Sequence, residues 1–201
     1  MKPSYQIVSK ESPRQMLAKD FESLGGELPI RGGWGYTKDD ACIIDKHDSV
    51  VDRSIPFDGA GIEHIFVEKR IYEEMIILRP EGEKFFGIQW KLIEQQVIDD
   101  EDKVLDKLIF KVSAFPEKDW NELKAEYEGP EGYGSPNFYV AAYKKERQER
   151  MVQFTREFWF DITSFYERGL VIADKSTGSE ELLPPKSFKV ADKLKRLLGI
   201  K

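Results

Sequence analysis

Two runs, FFGIQWKLIEQQVI (85–98) and VLDKLIFKVSAF (104–115), flank the acidic stretch DDEDK, and this arrangement constrains the fold more than any other feature. In the first run Ile88, Trp90 and Leu92 alternate with Gln89 and Lys91, the period of a strand with one buried and one wet face. The second run reads as another strand. A polar connection of this length between them predicts a β-hairpin slightly looser than the tightest type.

Helices to cover such a hairpin are legible from caps and spacing. From Ser12, SPRQMLAKDFESLGG offers a serine N-cap, a proline at the first helical position, Met16, Leu17, Phe21 and Leu24 at helical spacing, and a Gly25 stop. From Ile62 to Ile77, residues Ile62, Ile65, Phe66, Tyr72, Met75 and Ile76 share a face, blurred by Val67, Ile71 and Ile77. PEKDWNELKAEYEG predicts a surface helix with Trp120, Leu123 and Tyr127 on one side, and NFYVAAYKKERQER a helix with an interleaved charged face. A brief strand is expected over Ala41–Ile44, with a loop from Lys46 to Gly61. MVQFTREFWFDITSFYERG is aromatic on both alternating faces, so its strand is expected to be central or covered by another element or a partner.

These elements predict an α+β fold with a mainly antiparallel sheet from the segments near 41–45, 85–98, 104–115 and 152–166, packed with several helices. Residues 1–173 form the expected single domain and 174–187 a linker by composition. Residues 188–201 are expected to form a basic amphipathic helix with Phe188, Ala191, Leu194, Leu197 and Leu198 on its apolar side. From Lys186 onward six basic residues stand against Asp192 alone and carry +5, which leaves −11 on the preceding residues out of a total of −6. Such asymmetry points to an end that folds back on an acidic body or engages another molecule.

Thirteen Phe, eight Tyr and four Trp in 201 residues are too many for a disordered acidic chain. The net charge argues against broad nucleic-acid binding, which needs a positive surface to release condensed counterions. Cys42 is the single cysteine, the N-terminal residues lack the apolar core of a signal peptide, and no apolar run approaches a membrane span. A cytoplasmic protein without membrane insertion is expected.

Chemistry-bearing residues concentrate in RGGWGYTKDDACIIDKHD, Arg31 to Asp48. Its glycines have neither the Lys-Ser/Thr of a phosphate loop nor the strand and helix flanks of a dinucleotide fingerprint, so they read as backbone geometry with Trp34 as a packed anchor. Cys42 reads as core. The acidic edge Asp45, His47 and Asp48 is a candidate partner contact, as is the C-terminal set Phe188, Leu194, Lys195, Arg196 and Leu197. Asp45, His47, His64 and Glu68 are a candidate metal set, His64 and Glu68 sharing a helix face at i, i+4. Pro80-Glu81 followed by Gln89-x-Lys91 on a strand resembles a degenerate form of the site in restriction-endonuclease-type nucleases. Glu81 stands there for the usual Asp, and Gln89 for the second carboxylate. The resemblance implies metal-assisted phosphodiester hydrolysis by Glu81, Gln89 and Lys91.

The leading expectation is an acidic interaction protein, an adaptor, inhibitor or immunity-type protein that binds another protein, with no cofactor and no catalytic residue assigned. A metal-dependent hydrolase or nuclease is the alternative.

Overall fold

A computed structural model describes residues 6–22 and 27–166. The expected linker and C-terminal helix, with Phe188, Leu194, Lys195, Arg196 and Leu197, lie outside the described residues.

The hairpin forms as its pattern requires: β3 (Phe85–Asp100) pairs antiparallel with β4 (Lys103–Pro116) along most of its length. Two bulges interrupt the ladder. Gly87, at φ 58, occupies the first, where a Cβ would lie 2.7 Å from the Trp120 ring. The second inserts Ile93, so that Leu92 faces Phe110 but Glu94 faces Ile109. Before it the even residues Trp90 and Leu92 share the inner face; after it the odd residues Gln95 and Val97 do.

The full sheet has five strands in the order β1 (Ile30–Gly32), β2 (Cys42–Ile44), β5 (Val152–Asp161), β4, β3. β5 is central, as a strand aromatic on both faces demands, with Phe158 and Phe160 in the core. The sheet is mixed, which corrects the expectation of a mainly antiparallel one: β2 runs parallel to β5, with Cys42 opposite Phe160. β2 is an apolar triplet with Cys42 and Ile44 fully buried, so it fits beside a central strand in either direction, and the long connection between the two permits the parallel one. β1 was not expected, because three residues are too few to show a period.

One face of the sheet is covered by α1 (Pro13–Asp20) and α2 (Gly59–Tyr72). Ser12 and Gln15 close a capping box on α1, and Leu17 and Phe21 are buried. α2 starts at the Asp58 cap, inside the expected loop, and continues into a π turn, Glu73–Ile77, where the Leu78 N–H reaches the Glu73 carbonyl. The wider turn brings four successive residues, Glu73 to Ile76, into the interior. Phe66 meets Phe160 edge-on and Tyr72 meets Trp90, which fixes the helix across β5, β4 and β3.

The opposite face is covered at one end by α3 (Glu117–Glu128), whose Trp120 packs on Phe86 and Phe115. α4 (Val140–Arg150) has no buried residue. It is tied to α3 by Arg150 bridging Glu122 and by a cluster of Tyr127, Tyr133, Phe138 and Tyr143 that stands apart from the main core. Elsewhere on this face Lys91, Lys111, Thr155 and Glu157 are exposed. Among the described residues no helix is long and apolar enough to cross a membrane.

Candidate binding site

The core-facing stripe of α2 carries charge where a helix of this kind normally carries only apolar residues: Glu63, Arg70 and Glu74 fall in phase with Phe66, Val67 and Ile71. Two different environments result.

At the C-terminal end Arg70 and Glu74 are paired with each other and with the surrounding loop. Arg70 Nε donates to Glu74 Oε1 at 2.8 Å, and its Nη1 donates to the carbonyls of Trp34 at 2.9 Å and Gly35 at 3.2 Å. The guanidinium lies between the Tyr36 and Phe158 rings, 3.9 and 4.2 Å from their centroids. Glu74 also accepts from the Tyr36 hydroxyl at 2.9 Å and from Arg156 Nε at 3.1 Å. The GGWGY segment is therefore a knuckle built around Arg70, stapled by Asp40, whose carboxylate accepts the Trp34 and Tyr36 N–H groups. Burial and Glu74 push the Tyr36 phenol well above its ordinary range. The group holds α2 to β5 and to the 30s loop; its atoms face one another rather than an outside ligand.

Toward the N-terminal end of α2 the neighbouring charges of Glu63 are the carboxylates Asp106 and Asp58. Glu63 and Asp106 are each 3% exposed. Asp106 occupies the inner row of β4 with Leu108, Phe110 and Val112, and its Oδ2 accepts from Gln95 Nε2 at 2.6 Å. Its other oxygen is buried and has no hydrogen-bond partner among the described residues. Glu68 continues the same margin. His64, Glu68 and Tyr72 follow at i, i+4 and i+8 along α2, with His64 edge-on to Phe110 and Tyr72 edge-on to Trp90. Glu68 Oε1 is likewise buried and unpaired.

Burial, then repulsion from Asp106 and Asp58, pushes Glu63 up to about 8. Burial raises Glu68 and Asp106 as well. Glu73, fully buried at the π turn, is also pushed up to about 8, by burial and then by Asp20, which approaches as a second negative group without hydrogen-bonding geometry.

A pH dependence follows. Because Glu63 and Glu73 hold their protons in the folded state well above their ordinary 4.5, the unfolded chain sheds protons first as pH rises. Their contribution to stability is complete below 4.5 and is lost progressively up to about pH 8. Glu73→Met, of similar volume and without a charge to bury, is expected to raise the urea midpoint at pH 8 and to lose most of that advantage at pH 4.5. An advantage independent of pH would show that titration of Glu73 is not its source.

The residues singled out in the sequence are placed as follows. Asp45 accepts the His47 N–H at 2.9 Å and lies 3.6 Å from Arg31. Asp48 receives both terminal nitrogens of Arg14, at 2.7 and 3.2 Å, and this bond holds its carboxyl below the ordinary range. The acidic edge is thus occupied in part by tying α1 to the turn after β2. His64 and Glu68 do share a helix face, whereas Asp45 and His47 belong to that turn. Among the described residues no group of three or more His, Cys, Asp or Glu side chains is placed to hold a metal ion. Gln89 and Lys91 point outward together, opposite Ser113 and Lys111, and Glu81 is exposed in the preceding turn, with the Gly87 bulge between. Cys42 is fully buried, and burial raises its thiol far above the usual range.

Arg70, Glu74 and Asp106 escaped the sequence reading, and Glu63 was legible only as one of the acids near the start of α2. The usable signal was phase: each is a charge at a position whose helical or strand neighbours are all core residues. No protein-family model, curated protein or solved structure matches this chain.

Proposed function

We propose that this chain is an interaction protein, of adaptor, inhibitor or immunity type, whose acidic surface takes a basic region of another protein. The observation that supports this reading is that Glu68 on α2 and Asp106 on β4 each leave one buried carboxyl oxygen without a donor among the described residues. Buried acceptors without donors are costly, and a cation supplied by a partner offsets that cost. The net charge of −6 favours encounter with a basic surface.

The test is capture of partners by the immobilised full chain at low and high salt, with a Glu63→Gln, Glu68→Gln, Asp106→Asn variant alongside. The reading expects a basic protein that the native chain retains at low salt and that the variant and high salt release. A captured set unaffected by either change would refute it. In the same preparation Mg²⁺, Mn²⁺, Ca²⁺ and Zn²⁺ are expected to leave the melting temperature unchanged, because specific binding to the native state must raise it. A rise with one of them would favour the metal-dependent hydrolase or nuclease instead.

A further inference from the structure

β3 is the last strand of the sheet, sixteen residues long, and among the described residues nothing pairs with its outer edge. A long open edge is a template for another strand, and proteins ordinarily blunt it with lysine, proline, shortness or a bulge. From Leu92 to Ile98 this edge has neither lysine nor proline, and the bulge at Ile93 is its one such device. Ile93 and Val97 are 54% and 39% exposed there. Directly inward of this stretch lies Asp106, opposite Val97, with its unpaired oxygen.

We infer that the occupant of this margin is an extended basic segment of the partner, which adds to the free edge of β3 and lays a Lys or Arg side chain toward Asp106. The inference rests on the protein-binding reading above and names the mode and chemistry of the contact. Three observations select this occupant. First, Gln95 is exposed on the edge strand, yet its amide reaches Asp106, so a donor carried by a strand at this edge approaches from the direction Asp106 already accepts. Second, an added strand sends alternate side chains to the α2 side of the sheet, where Gln95 and Val97 stand, so one cationic and one apolar residue two apart suit that row. Third, from Leu92 to Ile98 the edge carries Glu94 and no basic residue, so edge-to-edge pairing of this stretch with a second copy brings no cation to Asp106.

The probe is a labelled synthetic peptide of about eight residues, Lys-Thr-Val-Thr repeated, which sets lysine and valine two apart on one face, titrated with the full chain by fluorescence anisotropy at physiological salt. Three comparisons accompany it: the same peptide with glutamate for lysine, the peptide N-methylated at alternate residues so that one edge cannot hydrogen-bond, and the Glu68→Gln, Asp106→Asn variant. The inference expects binding by the lysine peptide and amide chemical-shift changes centred on Leu92–Ile98. It also expects at least about tenfold weaker binding for the N-methylated peptide and for the variant. Should the variant fail to fold, the peptide comparison on the native chain still decides.

No binding, equal binding of the N-methylated peptide, or shift changes elsewhere overturns the inference. So does dimerisation through the same amides, or tighter binding there by a peptide of residues 186–201, which would assign the edge to a second copy or to this chain's own basic end. A basic partner that the chain captures but the lysine peptide cannot displace also overturns it, while leaving the protein-binding reading intact.

Discussion

Replacing Arg70 with methionine is expected to lower folding stability by about 3–5 kcal/mol, read from the urea midpoint at constant slope. The side chain is 1% exposed, so methionine fills much of the volume but supplies no donor. The Glu74 carboxylate then keeps Tyr36 and Arg156 but loses its nearest cation, and the carbonyls of Trp34 and Gly35 lose theirs. Arg70→Lys keeps the charge but not the planar fork between two rings and two carbonyls, so it is expected to fall between wild type and methionine. Arg150→Ala provides the contrast. That residue bridges Glu122 at the surface, and its loss is expected to move the urea midpoint far less than the loss of Arg70. Comparable losses for Arg70→Met and Arg150→Ala would show that the buried ion group does not hold the fold together.

Gly35→Ala is expected to be the second large effect, more than about 2 kcal/mol. Gly35 has φ 72, a region in which a Cβ crowds the backbone, and that Cβ would lie 2.7 Å from the Trp159 carbonyl oxygen on β5. The Trp159 oxygen cannot swing aside as a side-chain end would, because it belongs to the central strand. Moving the loop instead pulls the Gly35 carbonyl away from the Trp159 N–H, now 3.0 Å distant, and from Arg70. The two predictions are coupled. Since Gly35 and Arg70 meet in one knuckle, the double variant should lose clearly less than the sum of the single losses. Additive losses would mean that the knuckle is not a unit.

What could be read in the sequence was what is local. The β3–β4 hairpin, α1, α3 and α4 each announce themselves through a short-range period or a cap, and Trp34 and Cys42 are buried as their surroundings suggested. The parallel contact of Cys42 with Phe160 could not be read, because it depends on how the intervening elements stack rather than on any residue in β2. The residues assigned to a possible site were chosen for their chemical type in a crowded stretch. Asp48 shows why that was insufficient: its role depends on Arg14, which the sequence placed in a separate helix. Conversely, Asp106 lies in a run that looked like ordinary strand. Only its phase with Leu108 and Phe110 marks it as a carboxylate in the interior.

The Ile93 bulge has a consequence for how β3 tolerates change. It acts as a frame shift within the folded strand: every residue beyond it is read onto the opposite face from the one that simple alternation assigns. Pairing the same residues without the bulge would restore the simple frame, turning Gln95 and Val97 outward and bringing Glu94 and Gln96 in over Asp106. The amide that now meets the buried carboxylate would be replaced by another carboxylate as its near neighbour. One inserted residue, far from any motif, decides which chemistry this edge of the protein displays.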